Sequence, residues 1–313
     1  MDYNYDIVIV GGGPSGLAAA IYGGRARLKT LVIEKGNYGG RSYLTREIVN
    51  YPGVPDTSGP ELAAITKKQA EGFGAEFVTD QIREFSLYGE IKSLRSRKNV
   101  YNAKAVILSL GTLPRVLGIE GEKELTGKGV AYCATCDAEF FKNQKVFILG
   151  SGDQAVEEGM FIARFAKEVV IISIWEEGIL DCNKVAREKA FKTKNISFIY
   201  NSTIERILGE DEVNGVVLKN VKDGSLQEYE CNGVFMFVGM IPNTEQLKDY
   251  DFLDEKGWII TNDRMETGID GVYAAGDVRE KYLRQVATSV SDGAVAATAA
   301  EKYIANLNHQ SSE

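Results

Sequence analysis

The run Gly11-Gly12-Gly13-Pro14-Ser15-Gly16 stands between the short apolar stretch Ile7-Val8-Ile9-Val10 and the helical stretch Leu17-Ala18-Ala19-Ala20-Ile21-Tyr22. A second apolar stretch, Thr30-Leu31-Val32-Ile33, ends in Glu34. Strand, glycine turn, helix, strand and acid in this order are the sequence pattern of a dinucleotide-binding unit. Gly11 permits the tight turn, Gly13 lets a pyrophosphate approach the backbone, and Gly16 lets the helix pack against the strand. The helix start offers free N–H groups and the positive end of its dipole. Glu34 is placed to accept from ribose hydroxyls.

The pattern partly repeats. Lys145-Val146-Phe147-Ile148-Leu149 reads as a strand, followed by Gly150-Ser151-Gly152-Asp153-Gln154-Ala155, a helix to about Lys167 and a strand Val169-Val170-Ile171-Ile172. This predicts a second doubly wound unit over 116–245. Inside it, Asp223-Gly224 reads as a hairpin turn between Val216-Val217-Leu218 and Gln227-Glu228-Tyr229. Near the end, Gly271-Val272-Tyr273-Ala274-Ala275-Gly276-Asp277 reads as a strand, and an alanine-rich helix follows over Gly293–Ile304. A strand and helix after a whole inserted unit predict a discontinuous first domain, 1–115 and 246–313. The fold class is α/β: two doubly wound dinucleotide-binding-type domains of three layers (ββα), the second inserted into the first. The 33 glycines against 6 prolines favour tight strand–helix turns over linkers.

Inside the second unit lies Cys133-Ala134-Thr135-Cys136-Asp137. Cysteines at this spacing can close a redox-active disulfide, and an acid directly behind them can move a proton when it opens. The chain has one histidine, His309, close to its end. Acid–base work therefore falls to a carboxylate, a thiol or water. Four cysteines in 313 residues do not make a disulfide scaffold and fit a reducing cytoplasm. Zinc takes about four ligands, and Cys182 and Cys231 have no matching spacing; they read as structural, and no metal site is expected. A net charge of −8 argues against nucleic acid and against a polybasic membrane surface. No apolar run approaches the roughly 18 residues of a membrane span. The acidic start Met1-Asp2-Tyr3-Asn4-Tyr5-Asp6 does not read as a signal peptide.

Over nearly its whole length the chain resembles the low-molecular-weight thioredoxin reductases. The resemblance rests on Gly11 to Gly16, Thr45-Arg46-Glu47-Ile48-Val49-Asn50-Tyr51-Pro52-Gly53, Cys133 to Asp137, Gly276-Asp277 and Arg284-Gln285-Val286. It implies FAD in the first domain, with the pyrophosphate over Gly13, Pro14, Ser15 and Gly16. It implies Glu34 at the adenosine ribose and the backbone of Ile82 near the adenine. Thr45, Asn50 and the backbone of Arg284, Gln285 and Val286 would reach the isoalloxazine, and Asp277 the ribityl chain. Gly40, Arg41, Gly111 and Gly276 complete the implied cofactor site; the family usually has Gln where Arg41 stands. It further implies Cys136 as the flavin-facing sulfur, Cys133 as the exchanging one, Asp137 as proton donor or acceptor, thioredoxin as partner, and a homodimer. The chemistry agrees with the residues, because a C-x-x-C pair near a helix start has a lowered thiol pKa.

The chain departs from the family after the second strand of the inserted unit. A user of NADPH needs cations there for the 2′-phosphate, and the family has His-Arg-Arg followed by another Arg. This chain reads Ser173-Ile174-Trp175-Glu176-Glu177-Gly178-Ile179, with Lys184 and Arg187 expected on a following helix. Ser151 and Gln154 stand where the family has Gly and Ser. The expected donor is therefore a reduced ferredoxin, as in the pyridine-nucleotide-independent branch of the family. Plant-type ferredoxins lie near −400 mV and thioredoxin near −270 mV. That gap of roughly 130 mV is about 6 kcal/mol for two electrons. NADH, and less so NADPH, is the alternative donor. A dithiol oxidase passing electrons to oxygen is another reading, but such enzymes tend to carry a histidine where Asp137 stands. A flavin-binding regulatory protein is a third, opposed by the intact Cys133 to Asp137.

Overall fold

The computed structural model describes residues 4–45 and 48–310. Two compact units divide the chain: Met1–Leu113 with Ile241–Glu313, and Pro114–Met240. The first begins with β1 (Tyr5–Val10), α1 (Pro14–Arg25), β2 (Thr30–Glu34), α2 (Gly59–Gly72), β3 (Glu76–Thr79), β4 (Ile82–Ser86), β5 (Lys92–Ser96) and β6 (Val100–Leu108). β3, β2, β1 and β6 run parallel in that order, and the sheet continues antiparallel through β5 to β4. Successive residues of β1 point to opposite layers. Ile7 and Ile9 pack with Ala19, Ala296 and Ala300, while Val8 and Val10 pack with Leu87, Leu94 and Phe252. Burial on both faces explains the unbroken apolar run. Each such side chain contributes about 1.5–3 kcal/mol.

The chain leaves through β7 (Thr112–Pro114). The second unit holds β8 (Val130–Ala131), α3 (Ala134–Asp137), β9 (Lys145–Leu149), α4 (Asp153–Ile162), β10 (Glu168–Ile172), α5 (Lys184–Lys192), β11 (Ile196–Ile199), β12 (Ser202–Gly209), β13 (Val213–Asn220), β14 (Leu226–Glu230) and β15 (Gly233–Met236). Its parallel sheet has the order β11-β10-β9-β15-β8. β12, β13 and β14 form an antiparallel sheet, and the Asp223-Gly224 turn joins its last two strands as expected. Phe147 and Val234 pack with Val216 and Leu218 of that small sheet, and Ile148 and Phe235 with Ala155 and Ile162 of α4. α4 ends at Ile162 rather than near Lys167; a turn over 163–165 follows. Lys184 and Arg187 do lie on a helix, α5.

β16 (Met240–Pro242) returns the chain and pairs with β7. The units divide at 113/114 and 240/241 rather than at 115/116 and 245/246, because both crossings fall inside these short strands. β17 (Val272–Ala274) then pairs with the end of β6, and α6 (Val286–Gln310) closes the chain. α6 starts earlier than the alanine-rich stretch suggests. Its first turns carry Val, Thr and Ser, poor helix formers, and packing against α1 overrides that preference. The approach is close: a Cβ on Gly293 would stand 2.0 Å from the Ser15 carbonyl oxygen. Val10 is level with Ile33 and Leu108, and Leu108 with Ala274. Gly11, Glu34, Ser109 and Gly276-Asp277 thus emerge at one edge, the carboxyl ends of the strands, where ligands of open α/β sheets bind.

Candidate active site

At that edge Gly11 turns with φ +108°, and a Cβ there would meet the Ser109 carbonyl oxygen at 2.0 Å. Gly13 caps α1 without a side-chain hydrogen bond, and Pro14 opens the helix. The first turn therefore presents its N–H groups rather than spending them on a side chain. Gly40 has φ +54°, and its Cβ would come within 3.1 Å of the Gly13 Cα. The two glycines face each other across a lane that side chains would fill. Glu34 is held at the end of β2: one carboxylate oxygen accepts the Gly12 N–H at 2.7 Å, the other the Gly36 N–H at 2.9 Å. The Asp80 N–H donates to the Glu34 carbonyl at 3.0 Å, which leads the backbone past β2 toward buried Ile82. Arg41 lies in the 3-10 turn Gly40–Leu44, which Thr45 closes by donating its N–H to the Ser42 carbonyl at 2.9 Å. Arg46 and Glu47 lie outside the described residues.

The other wall comes from the far end of the sequence. Gly276, at φ +83°, donates its N–H to Asp292 at 3.0 Å. Asp277 accepts the Ser289 hydroxyl at 2.9 Å, and burial raises its carboxyl above the ordinary value. Asp292 on α6 also pairs with Arg279 at 2.9 Å and Lys281 at 2.8 Å. Arg284 donates to the carbonyls of Asp277 at 3.3 Å and Arg279 at 2.9 Å, and its guanidinium stacks on Trp258 at 3.7 Å. Asn50 Nδ2 donates to Gln285 Oε1 at 3.1 Å, joining two motifs remote in sequence; Val286 then starts α6. Gly111, at φ +64°, accepts the Asn243 N–H at 3.1 Å. No local signal in the sequence marks Asp292 or Trp258: Asp292 precedes the alanine-rich stretch that signals the helix, and Trp258 carries no motif.

In the second unit Cys133 and Cys136 form a disulfide with a Cα–Cα distance of 5.4 Å. Cys133 is the N-cap of α3, and its sulfur accepts the Cys136 N–H at 3.2 Å. That contact and the helix start favour a thiolate once the bond opens. Cys136 is exposed, whereas Cys133 and Asp137 are half-buried. Burial raises the Asp137 carboxyl above its ordinary value, which suits a group that must hold a proton nearer neutral pH. Cys182 and Cys231 are free thiols; burial pushes Cys231 up to about 12, an inert structural group.

The second glycine turn repeats the first in backbone and differs in side chains. The Gly150 N–H donates to Ile172 as the Gly11 N–H does to Ile33. By that register Ser151 stands for Gly12 and Ser173 for Glu34. The buried Ser173 hydroxyl donates to the Ser151 hydroxyl at 3.2 Å and caps the Trp175 N–H. Glu176 pairs with Lys222 of the β13–β14 hairpin at 2.8 Å. The ribose-binding position thus carries no carboxylate. Lys222, brought to the following loop, already has an acid for partner.

The first unit fits FAD. Its glycine lane, uncapped helix start, anchored Glu34 and half-buried Asp277 match a pyrophosphate, a ribose and a polyol chain in turn. Comparison with known proteins decides the family. Residues 5–293 match the model of the pyridine nucleotide-disulphide oxidoreductases. The chain is 49% identical with a thioredoxin reductase of Peptoclostridium acidaminophilum, over 97% of this chain and 98% of that one.

The chain belongs to the thioredoxin reductase family. The crystal structure of Lactococcus lactis thioredoxin reductase superposes with a TM-score of 0.94 at 40% identity, covering 97% of this chain and all of that one. A ferredoxin-flavin thioredoxin reductase of Clostridium acetobutylicum gives a TM-score of 0.54 at 28% identity, covering 98% of this chain and 99% of that one. This family member is an FAD-dependent disulfide oxidoreductase. Among the described residues no helix is long and apolar enough to cross a membrane, and no cluster could hold a metal ion.

Proposed function

We propose that this reductase opens the disulfide of thioredoxin through Cys133 and Cys136, with electrons from reduced ferredoxin. Gly11, Gly13, Pro14, Ser15, Gly16, Glu34, Gly40, Arg41, Thr45, Asn50, Ile82, Gly111, Gly276, Asp277 and Arg284 to Val286 would hold FAD, which when bound would supply redox chemistry with electrons taken singly or in pairs. The Cys133 thiolate attacks one thioredoxin sulfur, forms a mixed disulfide and releases the other sulfur as a thiolate. Cys136 then attacks Cys133, which closes the Cys133–Cys136 disulfide and frees dithiol thioredoxin. Asp137 carries the proton that this opening and closing requires. The reading includes a cytoplasmic setting and a homodimer.

The observation that carries the donor assignment is Ser173, a hydroxyl bonded to Ser151 where the first unit has the Glu34 carboxylate and where a nicotinamide dinucleotide needs a ribose or phosphate partner. A second reading has NADH, or less readily NADPH, as donor through contacts rebuilt elsewhere. It is favoured by the lower identity with the ferredoxin-flavin enzyme than with reductases named without ferredoxin. Anaerobic titration of the bound flavin with NADPH, NADH and reduced ferredoxin separates them. Bleaching by ferredoxin alone is expected; fast stoichiometric bleaching by either nucleotide would replace the donor and leave the disulfide chemistry intact.

A further inference from the structure

Glu122 is fully buried, and its side-chain partners among the described residues are uncharged donors. Oε1 accepts the Leu117 N–H at 3.2 Å and the Tyr132 hydroxyl at 2.6 Å. Oε2 accepts the Gly118 N–H at 2.6 Å and the Ile119 N–H at 3.2 Å. Two donors on each oxygen fill the four acceptor positions of the carboxylate. A buried carboxylate is unfavourable unless so satisfied, and this one ties a loop near the start of the second unit to Tyr132.

Tyr132 follows the end of β8 in a bend and directly precedes Cys133, the N-cap of α3. The β8 backbone is paired with β15 only at Val130 and Ala131. Between that pairing and the cap, the Tyr132 phenol is the side-chain anchor. While the Cys133–Cys136 bond is closed, it also holds the cap in place. Once it opens, that covalent restraint is gone. The freed sulfur then depends on the Cys136 N–H, now 3.2 Å away.

We propose that Glu122 and Tyr132 are positioning residues for the redox disulfide: their hydrogen bond keeps the Cys133 cap in register when the disulfide is open, so that the freed sulfur retains the Cys136 N–H. The proposal rests on the reading of Cys133 as the exchanging sulfur.

The test uses FAD-loaded enzyme, reduced with excess dithiol and freed of it without oxygen. Alkylation by iodoacetamide is followed from pH 5 to pH 9, and the labelled sulfur is mapped by peptide mass. In Tyr132→Phe only the hydroxyl is lost. Cys133 alkylation at pH 7 should fall about 10-fold, the worth of one hydrogen bond to a charged acceptor, and its pH midpoint should rise by about one unit. The melting temperature should drop more in the reduced enzyme than in the oxidised one. An unchanged alkylation profile, with or without an equal loss of melting temperature in both redox states, would mark plain packing and overturn the proposal alone. Labelling of Cys136 in place of Cys133 in the parent enzyme would overturn the role assignment as well.

Discussion

The Ser173 hydroxyl donates to the Ser151 hydroxyl at 3.2 Å, on the ground that Glu34 and the Gly12 N–H share in the first unit. One backbone pattern thus carries two chemistries. Where the first unit has the Glu34 carboxylate, proposed to take a ribose, the second has the Ser173 hydroxyl, already bonded to its neighbour. NADPH and NADH should therefore bind alike and weakly. Charge-assisted bonds to a phosphate contribute about 1.5–3 kcal/mol each, so losing two or three weakens NADPH by roughly 10²- to 10⁶-fold. Competition between NADP⁺ and NAD⁺, read by tryptophan fluorescence at Trp175, checks this. A 100-fold preference for NADP⁺ would show that other residues of the unit hold the 2′-phosphate.

Cys133→Ser and Cys136→Ser should each abolish thioredoxin reduction and leave FAD bound. Both sulfurs are needed to close the disulfide that releases the product. Turnover with thioredoxin and the flavin absorbance of the purified variants give the two readouts. Near-normal turnover in either variant would place the relay elsewhere.

Asp137→Asn should slow turnover by about 10²- to 10⁴-fold, the range for a positioned acid–base group. Burial raises its pKa, so the protonated form persists to a higher pH than for an exposed aspartate. The parent rate should therefore lose its Asp137-dependent acid catalysis as the pH rises through that raised value. The Asn variant should lack that limb of the pH–rate profile. A fall of less than a few-fold would assign the proton to water.

Asp292→Asn should loosen the cofactor. Asp292 neutralises Arg279 and Lys281 in a nearly dry environment and holds the Gly276 N–H. Removing one partner of such a buried cluster costs about 3–5 kcal/mol. FAD release on dilution, seen as recovery of free-flavin fluorescence, should begin at least 10-fold sooner than in the parent. Unchanged retention would mean that the Gly276-Asp277 turn stands without Asp292.

Asp80 should support the fold above acid pH. Slight burial raises its pKa, but hydrogen bonds from Asn99, Ser96, Tyr101 and the Gln81 N–H outweigh that and bring it down to about 2. A lowered folded-state value adds stability above the ordinary 3.8 that is lost as the pH falls toward 2. Melting temperatures of the parent and Asp80→Ala should differ at pH 6 and converge near pH 2. A gap that persists at the acid end would reflect packing rather than charge.

The sequence alone determined the α/β class, both glycine-turn units and a cysteine pair able to close a disulfide, and the family resemblance implied the cofactor. The units and the pair depend on local patterns: apolar strand runs, glycines where the backbone must turn left-handed, and cysteines three apart. Only the tertiary structure decided what meets across long separations. It bonded Asn50 to Gln285, stacked Arg284 on Trp258, gathered Gly276, Arg279 and Lys281 on Asp292, and hung Tyr132 from Glu122. It also started α6 at Val286, ahead of its alanines, because close packing of Gly293 on Ser15 outweighs the weak preferences of the preceding residues. Local propensity follows neighbours in the chain, whereas burial and hydrogen-bond satisfaction follow neighbours in space. A lone carboxylate such as Asp292 or Glu122 reveals its task only when folding has brought its donors to it.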